Sequence, residues 1–353
     1  MFLLLISALV GCSYVAKVGT GKVVIPSERD AKWKNAKCND GTPFGITVDK
    51  PEAKSNVWVI KVGGGGFCDN DRVKCENRKD LLTTGMGKKD GEMTPMMHLG
   101  LHSRSQKINP DFYNANHVIL NYCSSDFWVG ESTKRQPTAA SSKGWFFSGR
   151  KNFDAAMGTL EQKVGMADGN AKILIAGHSA GGMGVVANVQ SVKKHFPKSI
   201  KQGDLKIIID GSWMPTPDDS TGYPAWNKWG DLHKGCTRTA EKKKTGTENC
   251  YYGPNWYPYM KKTGIPILIQ QSTVDPTAKK VFRYEGPEET KKFHAMCKSS
   301  FKGVEWLYSG SHIYHTTLFD EQFIQGDKGK TLQNVIHRFW TDKKPERVFY
   351  DNG

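Results

Sequence analysis

Acidic residues are in short supply: 35 Asp and Glu face 50 Lys and Arg, so this 353-residue chain carries a formal charge of +15 and a field that attracts polyanions. The basic residues form only short scattered groups, Lys242 to Lys244, Lys261 with Lys262 and Lys291 with Lys292, and no nucleic-acid-binding motif accompanies them. Nucleic acid is therefore not expected as a partner, whereas an acidic polysaccharide or an anionic cell envelope suits the same field. Internal repeats and low-complexity tracts are missing, which excludes solenoid and fibrous architectures. Neither a Cys-x-x-Cys pair nor a histidine cluster stands among the eight cysteines, so no metal centre is expected.

The chain does have a short apolar start, Phe2 to Val10, too short to span a bilayer and suited to the hydrophobic part of an export signal. Its end, Leu9-Val10-Gly11-Cys12-Ser13, resembles a bacterial lipobox, which would make residues 1–12 a lipoprotein signal and anchor the chain to a membrane through a lipid on Cys12. A secreted or cell-envelope protein of this kind can oxidise its cysteines. With Cys12 set aside, seven remain and one must be a free thiol. Short loops separate Cys68 from Cys75 and Cys236 from Cys250, leaving Cys38, Cys123 and Cys297.

Runs rich in Val, Ile and Leu predict strands over Val57 to Val62, His117 to Asn121, Lys172 to Ala176, Leu205 to Asp210, Ile265 to Gln271 and Val304 to Tyr308. Helices are expected over Asn152 to Met166, Gly182 to His195, Pro276 to Arg283 and Lys330 to Trp340. Strands alternating with helices imply an α/β fold with a mostly parallel sheet and flanking helices, one domain over 13–353. The stretch 213–263 breaks the alternation and carries Cys236 and Cys250, so it reads as a disulfide-pinned insertion roofing a site.

The most informative stretch is Gly177-His178-Ser179-Ala180-Gly181, with Ile173 to Ala176 before it and a helix pattern after it. A G-x-S-x-G run between a buried strand and a helix lifts the serine hydroxyl onto a sharp, exposed turn, the nucleophile elbow of α/β hydrolases. A serine nucleophile needs a base, and the base an orienting carboxylate, in the chain order Ser, Asp, His. Asp275, behind the strand Ile265 to Gln271, is expected as the acid in preference to Asp210, which reads as structural or as a pocket-floor residue. Both His312 and His315 follow the next strand, and His312 is expected as the base because it lies nearer the strand end. His178, beside the nucleophile, should support the elbow from beneath. Backbone donors for an oxyanion are expected from Ala180 and from the glycine run Gly63 to Gly66, which lacks the Gly-Lys-Ser/Thr ending of a P-loop. Asp126 reads as a buried carboxylate bonded to loop backbone. Phe67, Trp128, Trp145, Phe146, Phe147 and Trp213 lie in candidate pocket loops, with core packing as the default for each.

Five segments together resemble the pectin acetylesterase and Notum family of extracellular carboxylesterases: Cys38-Asn39-Asp40-Gly41-Thr42-Pro43, Gly64-Gly65-Gly66-Phe67-Cys68, Asn114-Ala115-Asn116, Tyr122-Cys123-Ser124-Ser125-Asp126-Phe127-Trp128-Val129-Gly130 and His178 to Val185. The resemblance runs from about Cys38 to about Thr317. It implies an α/β-hydrolase fold, no cofactor, a triad of Ser179, Asp275 and His312, oxyanion donors at Gly65, Gly66 and Ala180, and disulfides Cys38–Cys123 and Cys68–Cys75. Gly66 stands where the animal members carry tryptophan. The function this implies is a serine carboxylesterase; the positive charge favours an acetyl ester of a polyanionic polysaccharide such as pectin as its substrate, and a monomer is expected. The alternatives are removal of a fatty acyl group from a protein or lipid, and a non-catalytic surface carbohydrate-binding protein.

Overall fold

The computed structural model describes residues 17–69, 73–78, 85, 87–216, 228–230, 232–244, 246–282, 284–324, 330–341 and 344–350. The expected export signal and Cys12 lie outside them. Among the described residues twelve strands form: β1 (Lys17–Val24), β2 (Ile46–Asp49), β3 (Val57–Val62), β4 (Met93–His98), β5 (Asn116–Leu120), β6 (Gln136–Thr138), β7 (Ser141–Trp145), β8 (Lys172–His178), β9 (Leu205–Asp210), β10 (Ile267–Ser272), β11 (Trp306–Gly310) and β12 (Arg347–Tyr350). Ten of them join one sheet in the order β12-β11-β10-β9-β8-β3-β5-β2-β1-β4, and β6 with β7 makes a separate hairpin. From β12 to β5 all neighbours are parallel, while β2, β1 and β4 add an antiparallel flank.

The central strands are apolar on both faces because helices cover both. In β8, Ile173, Leu174, Ile175 and Ala176 are all fully buried, each large side chain contributing about 1.5–3 kcal/mol. One face packs on the helices Gly149–Thr159, Ala180–His195, Gly253–Lys261 and Pro287–Ser300. The other packs on Leu332, Val335, Ile336 and Phe339 of the helix Leu332–Thr341.

The sheet order also locates the site. After β3 the chain moves to β5 on one side, and β8 then pairs on the other, so strand order reverses at β3. Loops leaving β3 and β8 diverge there and open a crevice at the carboxyl ends of the strands. The glycine run follows β3, and Ser179 follows β8.

Among the described residues three disulfides form, Cys38–Cys123, Cys68–Cys75 and Cys236–Cys250, and Cys297 is a buried free thiol. Cys236–Cys250 clips the helix Lys234–Lys242 to the turn Thr247–Tyr251, inside the insertion between β9 and β10. The insertion packs beside the glycine loop: Trp229 stacks on Phe147 with ring centroids 3.6 Å apart and donates to the Cys68 carbonyl at 2.6 Å. Cys38–Cys123 closes the longest loop, with 85 residues of sequence separation. Replacing both cysteines by alanine is therefore expected to cost about 2–5 kcal/mol, read as a lower urea midpoint; an unchanged midpoint would refute the assignment of stability to this crosslink.

Candidate active site

Ser179 sits between β8 and the helix Ala180–His195 with φ +53° and ψ −128°, a backbone conformation costing about 1–3 kcal/mol for a residue bearing a β-carbon. Its surroundings hold it there. The Ser179 N–H donates to the Asp210 carbonyl at 2.8 Å, and Ser212 Oγ donates to the Ser179 carbonyl at 2.6 Å. Gly181 must lack a side chain, since a β-carbon there would collide with the Val62 carbonyl oxygen and stand 2.7 Å from that of Gly63. That close approach lets the helix pack against the glycine loop.

The imidazole that meets Ser179 and Asp275 is that of His315, not that of His312, which the sequence favoured. His315 Nε2 lies 2.9 Å from Ser179 Oγ, and His315 Nδ1 lies 2.7 Å from Asp275 Oδ2. Asp275 is fully buried, and its other oxygen accepts the N–H groups of Thr277 and Ala278 at 2.8 and 2.9 Å. Gln271 Nε2 also donates to Oδ2 at 3.0 Å. The carboxylate is thus fixed before it meets the imidazole. Burial disfavours the charged form of His315, but the hydrogen bond and charge of Asp275, with the charge of Asp210, outweigh it and raise its pKa above the ordinary imidazole value.

The reason for the three-residue displacement is sheet geometry. Ser179 ends β8 and Asp275 follows β10, so a side chain touching both must lie over β9, two strands away from β11 or roughly 10 Å. Three extended residues span about that distance. His312 remains near the edge of β10: it is buried, its Nε2 lies 3.2 Å from Gln270 Nε2, its carbonyl accepts from Ser272 Oγ, and burial lowers its pKa to about 4. Gly211, at φ +61° just after β9, receives the crossing loop. A β-carbon there would strike the His315 carbonyl oxygen.

The glycine loop lies directly against Ser179. A β-carbon on Gly64 would stand 2.9 Å from Ser179 Cβ and 3.4 Å from the Ala180 nitrogen. The Gly64 N–H donates to His178 Nε2 at 3.2 Å, and burial together with the Lys61 and His315 charges keeps the His178 pKa well below the ordinary imidazole value. Gly65 and Gly66 adopt φ +137° and +72°. Their carbonyls are tied back, Gly65 O accepting from Arg78 Nη1 at 2.7 Å and Gly66 O from the Tyr122 hydroxyl at 2.9 Å. The N–H groups of Gly65, Gly66 and Ala180 make no hydrogen bond among the described residues. Burial lowers the Arg78 pKa.

The loop Tyr122 to Gly130 supports this arrangement. Asp126 accepts from Ser124 Oγ at 2.6 Å and from the N–H groups of Trp128, Gly130 and Gly149 at 3.0, 3.2 and 2.8 Å. Trp128 Nε1 then reaches the Gly63 carbonyl at 3.0 Å, and Arg78 Nε donates to Ser125 Oγ at 3.0 Å. Of the six aromatic residues named from the sequence, Trp128, Trp145, Phe146, Phe147 and Trp213 are buried in packing, while Phe67 is half-buried and stacks on Phe127 at 4.4 Å. Sequence reasoning missed Arg78 and Ser212. Arg78 had one signal, its place three residues after Cys75; Ser212 had none beyond following Asp210-Gly211. Among the described residues no group of three His, Cys, Asp or Glu is placed to hold a metal ion.

A serine, histidine and aspartate in line beside free backbone donors can carry out acyl transfer. Residues 22–325 match the family described as Pectinacetylesterase. The chain belongs to that family. Within this family context it is 30% identical over 265 residues to the human palmitoleoyl-protein carboxylesterase NOTUM, covering 67% of this chain and 48% of that protein. To its Drosophila melanogaster counterpart it is 28% identical over 309 residues, covering 81% and 44%. This pectinacetylesterase-family chain thus spans about half the length of the curated relatives it matches. The solved structure of the Wnt deacylase Notum from Drosophila superposes with a TM-score of 0.74 at 24% identity, covering 91% of this chain and 93% of that one. The shared fold is the α/β-hydrolase fold, as the sequence motifs implied.

Proposed function

We propose that this chain is a serine carboxylesterase. Ser179 attacks the ester carbonyl as His315 Nε2 takes its proton, and Asp275 holds the imidazole in the tautomer with hydrogen on Nδ1. The oxyanion that forms is received by the N–H groups of Gly65, Gly66 and Ala180. His315 then gives the proton to the departing alcohol, and water activated by the same imidazole releases the acid. The observation that carries this reading is the continuous Ser179–His315–Asp275 line, 2.9 and 2.7 Å.

For the substrate we infer a short acyl group, acetyl, on an anionic polysaccharide such as pectin. The net charge of +15 supports a polyanionic carrier. The wall of the oxyanion loop supports a short acyl group: Arg78 Nη1 stands 3.2 Å from where a β-carbon on Gly66 would lie, so a buried guanidinium borders the loop where a long chain would need apolar surface. A second reading, removal of a fatty acyl group from a protein, is favoured by the activity named for the Drosophila and human relatives. Three disulfides support work in an oxidising, extracellular or envelope compartment.

Hydrolysis of p-nitrophenyl esters from acetyl to palmitoyl, with Ser179→Ala as background, tests both readings. Activity concentrated on acetyl supports the deacetylase; a preference for long chains transfers the assignment to fatty deacylation, and no excess over Ser179→Ala on any ester removes the enzyme reading. Arg78→Met is expected to lower kcat roughly 10- to 100-fold with little change in KM, because the Gly65 carbonyl loses its clamp and the oxyanion donors lose alignment. A rise in KM at constant kcat would assign Arg78 to ground-state binding instead.

A further inference from the structure

The proposed triad leaves Asp210 without a role. It is fully buried at the end of β9, in register with His178 of β8 on one side and Gln270 of β10 on the other. Its Oδ2 accepts the N–H groups of Thr317 and Leu318, both at 3.0 Å, two and three residues beyond His315. Its own carbonyl accepts the Ser179 N–H at 2.8 Å and Ser212 Oγ at 3.0 Å. One residue therefore ties down both the nucleophile's turn and the loop that carries the base. The buried Oδ1 has no hydrogen-bond partner among the described residues.

We propose that Asp210 is a positioning residue for the base: it locks the segment after His315 onto the end of β9 through the N–H groups of Thr317 and Leu318. The proposal rests on His315 being the base. The charged or titratable groups around Asp210 come from its neighbouring elements: Lys61 on β3, His315 on the crossing loop and Asp320 beyond it interact with it, and His178 on β8 pairs with it in register. Lys61 is the cation of this set, its Nζ 4.6 Å from the Phe319 ring centroid on the same segment.

Two substitutions test the anchoring. Asp210→Asn keeps an oxygen that can accept from Thr317 and Leu318; Asp210→Ala removes it. With p-nitrophenyl acetate, Asp210→Ala is expected to lower kcat roughly 10- to 100-fold with KM unchanged, and Asp210→Asn to stay within about threefold of the native rate. Equal rates for the two variants overturn the proposal. Should Asp210→Ala fail to fold, Asp210→Asn alone decides, because a loss of about tenfold or more with the accepting oxygen still in place overturns the anchoring role. His315→Ala, assayed beside them, keeps the two readings apart: if it retains activity the triad reading itself fails, whereas an inactive His315→Ala with equal rates for the two Asp210 variants removes only the role of Asp210.

Discussion

Replacing His315 by alanine is expected to lower kcat/KM for ester hydrolysis by roughly 10⁴- to 10⁶-fold, while His312→Ala stays within about tenfold of the native enzyme. The two histidines share a loop and differ by three positions, so composition and flexibility cannot explain such a gap. Geometry can. His315 alone touches Ser179 and Asp275, at 2.9 and 2.7 Å, whereas His312 faces Gln270. Without an imidazole at 315 the serine keeps its proton at neutral pH, and the oxyanion donors and substrate binding are all that remain. A His312→Ala loss as large as that of His315→Ala would contradict the triad assignment. The native profile should rise with pH through an ionisation above the ordinary imidazole value, because Asp275 and Asp210 together overcome the burial of His315.

The second large effect concerns stability in acid. Burial holds five histidines below the ordinary imidazole value: His117 at about 3, His233 and His312 at about 4, with His102 and His178 also lowered. A base with a depressed folded pKa binds protons more readily when unfolded, so its contribution is complete above about pH 6.5 and is lost as the pH falls. Asp126 and Asp210 act in the opposite sense. Burial raises them to about 6 and about 7, so the folded chain holds their protons more tightly and gains stability as the pH falls toward about 4. Five groups against two leave the unfolded chain binding more protons than the folded one as the pH falls below about 6, so stability declines there. A domain stable by only about 5–15 kcal/mol should register that decline as a loss of resistance to denaturant in acid. Urea midpoints measured from pH 7.5 to 4 should fall steeply below about pH 6; a flat or rising midpoint would contradict it.

The sequence made the strand-end positions of Ser179 and Asp275 and the glycine loop legible because each depends on local features. Ser179 lies within one strand-turn-helix unit, Asp275 follows a strongly apolar strand, and consecutive glycines are conspicuous at Gly63 to Gly66. The strand expected over Val57 to Val62 forms with those bounds, and that over Leu205 to Asp210 likewise. His315 was not legible, because its selection depends on the lateral order of β8, β9, β10 and β11, which no local pattern encodes. The antiparallel flank escaped for another reason. β1 contains Gly19 and Gly21, and β4 contains Pro95, residues that disfavour strands in isolation but are tolerated where one face or edge is exposed. The helix Pro287–Ser300 was also missed, since it buries only Phe293 and Cys297 and gives a weak apolar stripe. Arg78 was hidden for the same reason as His315: its importance lies in reaching Gly65 and Ser125 across the fold, not in its neighbours in sequence.

The most direct test of the central claim is labelling by a fluorophosphonate probe followed by peptide mapping of the modified residue. Only a serine activated by its own base reacts rapidly with such a reagent. The account predicts stoichiometric labelling at Ser179 in the native protein and in His312→Ala, with labelling abolished in Ser179→Ala and reduced by orders of magnitude in His315→Ala. A native protein that does not label, or one that labels at another residue, would contradict it.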